Sequence, residues 1–183
     1  LDVTAPGFNP EQVICISVND TFDAGATPVN DAFVCVGAAA NGGGADPQQQ
    51  RCCARFMLDG ATVATETASY VDTSHVFRRV DASAAAEAVK LESFDSSGFT
   101  ATVDSPSGTS ARVAYLAMKY NGVAAGKSVT THTVPTVTGN FSDTAPGFRP
   151  QAVLFWGTTQ VGLDAYNNAG LSSSWFHGAM DGT

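Results

Sequence analysis

The sequence contains one ten-residue stretch twice, as TAPGFNPEQV at residues 4–13 and as TAPGFRPQAV at residues 144–153. Seven of the ten positions are identical, and a short apolar run follows each copy. In each copy proline fixes φ and glycine permits a positive φ, so the chain can bend sharply before it enters a strand. The stretch therefore predicts a turn followed by a β-strand, built twice.

The similarity between the two copies continues beyond this stretch. Gly37-Ala38 matches Gly178-Ala179 at an offset of 141 residues, one more than the offset of the stretches themselves. Periods of about 20–50 residues are typical of solenoids, whereas a period this long indicates whole domains in tandem. We expect a first β-sandwich module at residues 1–127, its first strand missing upstream, and the first strands of a second, truncated module at residues 128–183.

Short strand-forming segments separated by turn residues fill much of the first module. Residues 12–18 carry apolar side chains on both faces and are predicted to be a buried central strand, and residues 32–39 are a second apolar run. Residues 51–58 and 61–67 flank Asp59-Gly60, a dipeptide typical of a two-residue hairpin loop. An alternating Thr/Val pattern predicts a further strand at residues 128–134.

Residues 87–119 predict a meander of three antiparallel strands. Val89 and Leu91 alternate with polar neighbours, and turn sequences follow at residues 95–98 and 105–108. A short helix over residues 82–89 is an alternative, because alanine and glutamate favour helices. About nine predicted strands without a helix layer favour an all-β fold. We expect an antiparallel, jelly-roll-like β-sandwich, followed by the start of a second similar module.

Charge and composition exclude several classes of function. The 183 residues carry 9 Lys+Arg against 17 Asp+Glu, a net charge of −8. Binding to a phosphate backbone needs clustered positive charge, so nucleic acid is not an expected partner. No apolar run approaches the roughly 18 residues of a membrane helix, and we expect no membrane insertion.

The four cysteines favour buried thiols. Cys15 and Cys35 lie in apolar runs, and the second copy has phenylalanine at both equivalent positions. Cys52 and Cys53 are adjacent on a predicted strand and point to opposite faces, so they cannot easily pair with each other. A Cys15–Cys35 disulfide and a cross-link through Cys52 or Cys53 remain alternatives. No Cys-x-x-Cys pair indicates a metal site.

The candidate chemistry is sparse. Asp72, Ser74 and His75 supply the residue types of a hydrolase triad, but neighbours on one strand do not give its geometry, and a solvated loop or sheet face is the default. Residues 20–23 lack the dense acidic spacing of a calcium loop. Aromatic residues cluster in the second copy, where core packing is favoured over a carbohydrate platform: Trp156, Tyr166, Trp175 and Phe176. We predict no catalytic residue, no cofactor and no metal ligand, and the ligand-binding residues are unknown.

Three motifs together resemble a module of tailed-bacteriophage structural proteins, especially tail-fibre-like chains. They are Gly-Phe-x-Pro-x-x-Val, at residues 7–13 and 147–153, SFDSSGFT at residues 93–100, and the strand RVAYLAM at residues 112–118. The resemblance implies a β-rich building block of a virion, extracellular and without catalysis. It also makes residues 129–141 the first strand of the second module.

The sequence therefore leads to two hypotheses about function. The first is a non-enzymatic structural component of a bacteriophage virion, assembled as a homo-oligomer and acting in assembly or host attachment. Its partners would be other copies of itself and other virion proteins, with a host glycan or receptor as a further candidate. The alternative is a carbohydrate-binding module of a secreted adhesin or enzyme, whose exposed aromatic side chains would bind the sugar.

Overall fold

The structure, a computed structural model, describes residues 2–18, 31–41, 48–58, 67–81, 85–106, 113–120, 127–132, 138, 142, 144, 148–158, 163–164 and 175–181. Within these residues the chain forms strands and no helix. The strands are β1 (Asp2–Val3), β2 (Gln12–Val18), β3 (Asp31–Asn41), β4 (Gln48–Leu58), β5 (Thr67–Asp72), β6 (Phe77–Val80), β7 (Ala85–Asp95), β8 (Gly98–Ser105), β9 (Ala114–Met118), β10 (Ala152–Thr158) and β11 (Trp175–Asp181).

The strands form three antiparallel sheets. A five-stranded sheet has the order β5-β4-β3-β2-β9, a four-stranded sheet has the order β1-β8-β7-β6, and β10 pairs with β11. The four- and five-stranded sheets pack face to face through apolar side chains from both. Two edge-to-face aromatic pairs cross this core, Phe33 with Phe77 and Phe99 with Tyr115. The predicted all-β, sandwich-like fold is therefore confirmed.

The entry turn and several strands match the sequence prediction. Gly7 has a φ of 68°, in the left-handed region that the repeated stretch predicts for its glycine. The runs predicted at residues 12–18 and 32–39 are β2 and most of β3. Asp95 lies opposite Gly98, so β7 and β8 form the predicted hairpin. The alternative helix over residues 82–89 is wrong from Ala85 onward, since β7 begins there.

The third strand of the predicted meander lies in the other sheet. β9 pairs with β2, with Tyr115 opposite Cys15, rather than with β8. Alternation correctly indicated a strand but carries no information about its partner, and the chain crosses from one sheet to the other between β8 and β9. This crossing makes β2 an internal strand of the five-stranded sheet.

Two further predictions about strands need correction. β2 is buried on one face only, because Val13 and Cys15 face the core whereas Ile16 on the opposite face is 49% exposed. In the strand predicted at residues 128–134, residues 128–132 are not a strand, and Val129 is buried with Ala38 and Ala40. Residues 133 and 134 lie outside the described residues. The Asp59-Gly60 loop and residues 61–66 lie outside the described residues, although β4 and β5 do pair, with Met57 opposite Thr67.

The strands that follow the two repeated stretches pair in the same register. In the first copy Cys15 lies opposite Gly37, and in the second copy the equivalent Phe155 lies opposite Gly178. When 140 is added to the residue numbers of β2 and 141 to those of β3, the pairs between them become the pairs between β10 and β11. The division of the chain into modules at residues 1–127 and 128–183 remains a prediction.

Candidate functional site

The described residues hold one concentrated cluster of charged side chains, at the turn between β5 and β6. It is centred on Asp72, the last residue of β5, whose side chain is fully buried. The other members are Ser74, His75 and Arg78, with Asp104 from β8 at the rim. We call these five residues the Asp72 cluster.

The local sequence explains the shape of this turn. Oδ1 of Asp72 accepts hydrogen bonds from the backbone N–H groups of Ser74 (2.8 Å) and His75 (3.0 Å). An aspartate that bonds the backbone two or three residues onward stabilises a tight turn, and this one connects β5 to β6. Here the turn also moves the chain from one sheet to the other, so the carboxylate lies between the sheets.

Charged side chains supply the remaining hydrogen-bond partners of the buried Asp72 carboxylate. Arg78 donates from Nε to Oδ2 at 2.7 Å and lies over the ring of Tyr70, 4.9 Å from its centroid. Nδ1 of His75 contacts both carboxylate oxygens, at 2.9 and 3.0 Å. A buried carboxylate is tolerated only when it is paired and hydrogen-bonded, and Asp72 meets both conditions.

The cluster shifts the protonation of two of its members. Burial alone would raise the pKa of Asp72, but hydrogen bonds from His75, the Ser74 N–H and Arg78 outweigh it and hold that pKa well below its usual range. The hydrogen bond to Asp72 raises the pKa of His75, against the opposing effect of burial. Both shifts favour the charged forms, so the cluster is a network of ion pairs.

Ser74, His75 and Asp72 are not arranged as a hydrolase triad. In a triad the serine and the acid contact different nitrogens of the imidazole. Here Oγ of Ser74 lies 2.9 Å from Nδ1, the nitrogen that also contacts Asp72, and Nε2 instead contacts Asp104 at 3.1 Å. The default interpretation as a solvated loop or sheet face is wrong for Asp72, whose side chain is fully buried, but Ser74 is exposed.

The second copy of the repeat is attached beside this cluster. The carboxylate of Asp164 accepts hydrogen bonds from the backbone N–H of Thr73 (2.7 Å) and from its hydroxyl. The backbone N–H of Asp164 donates to the carbonyl of Val71 at 2.8 Å, and the φ of Asp164 is 53°. Aspartate tolerates this left-handed conformation better than most residues. Nη1 of Arg51 donates to the Thr73 carbonyl from the first copy. The turn is therefore held from both copies.

An apolar contact lies next to this polar attachment. Trp156 of β10 packs against the buried Ala38, Ala40 and Val129 on the outer face of the five-stranded sheet. The sequence favoured packing over a carbohydrate platform for the aromatic residues of the second copy. This prediction is confirmed for Trp156. Tyr166 and the side chains of Trp175 and Phe176 lie outside the described residues.

All four cysteines are free thiols. Cys15, Cys35 and Cys52 lie in the core between the sheets, and Cys53 points to the outer face, where its thiol contacts the carbonyl of Trp156 at 3.9 Å. Burial is the main reason that the pKa of Cys15 and that of Cys53 are raised to about 12. Buried thiols are confirmed, and both disulfide alternatives are wrong.

Sequence reasoning found Asp72, Ser74 and His75 but missed the residues that complete the cluster. Arg78 and Asp104 come from β6 and β8, and their pairing with Asp72 and His75 depends on how the two sheets stack. The Asp-x-Ser pattern at residues 72–74 was the available signal for the turn. Residues 20–23 lie outside the described residues.

The residues that the structure describes hold neither a metal-binding cluster nor a membrane-spanning helix. The described ranges contain no group of three or more His, Cys, Asp or Glu side chains that could hold a metal ion. They also contain no helix of the length and apolarity needed to cross a membrane.

Comparison of the chain with protein-family models, curated proteins and solved structures finds no match.

Proposed function

We propose that this chain is a non-enzymatic structural component of a bacteriophage virion, a tail-fibre or other surface module that acts in assembly or host attachment. The observation that carries the proposal is the duplicated hairpin, in which β10 and β11 repeat the register of β2 and β3. Adding like β modules in series lengthens a protein and multiplies its contact surfaces without requiring a reaction centre.

The chemistry of the charged cluster supports a structural role. Asp72 and His75 form hydrogen bonds with each other and with their neighbours. The adjacent Thr73 forms a hydrogen bond with Asp164 of the second copy. The polar groups thus join parts of the molecule to one another. Such use of a buried carboxylate fits a module that must keep its shape in an assembly.

The surface supports assembly with other protein chains. Three large apolar side chains on the outer face of the five-stranded sheet are strongly exposed: Ile16 (49%), Val18 (39%) and Leu116 (57%). They belong to β2 and β9, which are neighbours in this sheet. Exposed apolar groups gathered on one face are typical of protein–protein contact surfaces, and the charge of −8 keeps crowded copies soluble.

Purification of particles from the native source tests the proposal. An antibody raised against the recombinant chain would be followed through a density gradient that separates virions from soluble protein. We expect the antigen to co-sediment with DNA-containing particles and to decorate their surface in immunogold electron microscopy. An antigen found entirely in the soluble fraction would contradict the proposal.

A further inference from the structure

The second copy of the hairpin has an edge that is covered in the first copy. β2 is flanked by β3 on one side and by β9 on the other, whereas β10 is paired with β11 alone among the residues that the structure describes. The two hairpins share one register, so the free edge of β10 is the counterpart of the edge of β2 that binds β9. The molecule itself thus shows what covers such an edge.

The second hairpin also exposes side chains at positions that are buried in the first. Cys15 is 6% exposed, whereas the equivalent Phe155 is 45% exposed. On the partner strand, Ala39 is fully buried and the equivalent Met180 is 53% exposed. Large apolar side chains in core positions of an uncovered sheet are a docking surface for another sheet element.

The glycines of the two hairpins show the same difference. A Cβ on Gly37 would lie 1.9 Å from the carbonyl oxygen of Val76, which packs over the first hairpin. A Cβ on Gly178 would meet nothing within 4 Å. Only the C-terminal end of β10 is covered, since Gly157 and Thr158 are buried whereas Ala152, Leu154 and Phe155 are exposed.

We propose that the free edge of β10 binds a β9-type strand supplied by another repeat of this kind. The strand would add antiparallel to β10 in the register of β9 on β2, which places methionine opposite Ala152, tyrosine opposite Phe155 and alanine opposite Trp156. Backbone hydrogen bonds give such strand addition its affinity, and alternate side chains give its specificity. The tyrosine beside Phe155 would form an aromatic cross-strand pair. This inference does not depend on the virion assignment.

A peptide in trans tests the proposal. A fluorescently labelled peptide of residues 113–120, VAYLAMKY, would be titrated with the full 183-residue chain and followed by fluorescence anisotropy. We expect saturable one-to-one binding, and binding about tenfold weaker or more for a scrambled peptide of the same composition and charge. Binding of both peptides with equal affinity, or of neither, would contradict the proposal.

Matched variants locate the binding site. Phe155→Lys places a charge on the proposed edge and is expected to weaken binding of the peptide at least about tenfold. Leu163→Lys is the control, because Leu163 is 54% exposed and is not part of β10. The exposed position of Phe155 means that its replacement leaves the fold intact, which circular dichroism checks. Equal loss in both variants would contradict the assignment.

Hydrogen exchange provides a second, independent readout. Saturating peptide should slow exchange of amides within residues 152–156 and leave those of β2 unchanged, since β9 already covers β2. Slower exchange at β2 instead would mean that the peptide displaces β9, and would contradict the proposal. A dimer in which the β10 edges of two copies pair with each other would contradict it as well, because β10 and not a β9-type strand would then be the occupant.

Discussion

Asp72 shows how a single buried charge can hold two sheets and a turn together. It ends β5, accepts the backbone N–H groups of the turn and binds Arg78 and His75. Removing one partner of a buried ion pair leaves the other charge uncompensated, which is far more costly than the pair is favourable. The stability of this turn should therefore depend on the carboxylate itself.

Asp72→Ala is expected to lower the free energy of unfolding by about 3–5 kcal/mol, because Arg78 and His75 lose their buried counter-charge. Urea unfolding followed by tryptophan fluorescence measures the change. Asp104→Ala is the control, since the side chain of Asp104 is 39% exposed and its pairing with His75 is worth at most about 1 kcal/mol. Similar losses in the two variants would mean that burial of Asp72 contributes little.

His75 should make stability depend on pH with a definite sign. Its pKa is raised in the folded state, so its contribution is complete below about pH 6.5 and is lost as pH rises through the folded pKa. We expect the difference in unfolding free energy between the native chain and His75→Gln to be larger at about pH 6 than at about pH 9. Urea unfolding across this range measures it.

A His75→Gln difference that grows with pH would contradict the assigned ion pair. The pKa of Asp72 is lowered, so its own contribution is present above about pH 4 and falls as the solution becomes more acidic.

Two equivalent glycines should respond in opposite ways to the same substitution. Gly37→Ala drives a Cβ against the backbone carbonyl of Val76, and backbone atoms cannot move aside as a flexible side chain can. We expect a loss of about 1–3 kcal/mol or more. Gly178→Ala fills open space and should be neutral or slightly stabilising, by up to about 1 kcal/mol. Thermal unfolding of both variants measures the two stability changes. Equal changes would contradict the difference in packing around the two glycines.

Among the elements, β7 depends on a side chain from the opposite sheet. The register of β7 against β8 shifts between Leu91 and Ser93. The amide of the buried Gln50, on β4, donates to the carbonyl of Leu91 at 3.1 Å and accepts from its N–H at 2.9 Å. Gln50 thus takes the place of a neighbouring strand for one residue of β7.

Gln50→Leu should cost about 2–6 kcal/mol of stability, because two buried backbone groups of Leu91 lose their partners at about 1–3 kcal/mol each. Chemical unfolding measures the loss. Gln49→Leu is the adjacent control: the side chain of Gln49 is exposed and makes one bond, to the N–H of Val129. A smaller effect at Gln50 than at Gln49 would contradict this account.

Local patterns predicted strands well and their partners poorly. Turn residues and alternation located β2, β3, β4 and the β7–β8 hairpin, because those features act within a few residues. The pairing of β9 with β2 joins residues about a hundred positions apart, and alternation is the same whichever sheet a strand enters. The exposed face of β2 was missed for a related reason, since apolar residues on both faces do not reveal which face lacks a covering layer.

The candidate site was less predictable than the fold. Asp72, Ser74 and His75 were recognisable as an unusual group, yet their role depends on Arg78 and Asp104 from other strands. These contacts form only when the two sheets stack, and no local sequence signal encodes that distance. The contact of Asp164 with Thr73 depends in turn on where the second hairpin docks.

On the scale of the whole molecule, the account depends on the second copy folding as the first does. Internal duplication at the sequence level predicted the second hairpin, and the register of β10 and β11 agrees with it. The same duplication accounts for the exposed core positions of β10 and β11 and for the edge that β9 covers in the first copy. If the second hairpin paired differently, each of these inferences would lose its basis.

The most direct test is the pattern of cross-strand nuclear Overhauser effects in the 183-residue chain in solution. We predict contacts that place Val153 opposite Met180 and Phe155 opposite Gly178, matching Val13 opposite Ala39 and Cys15 opposite Gly37. A pairing of β10 with β11 shifted by even one residue, or of β10 with a different strand, would contradict the account.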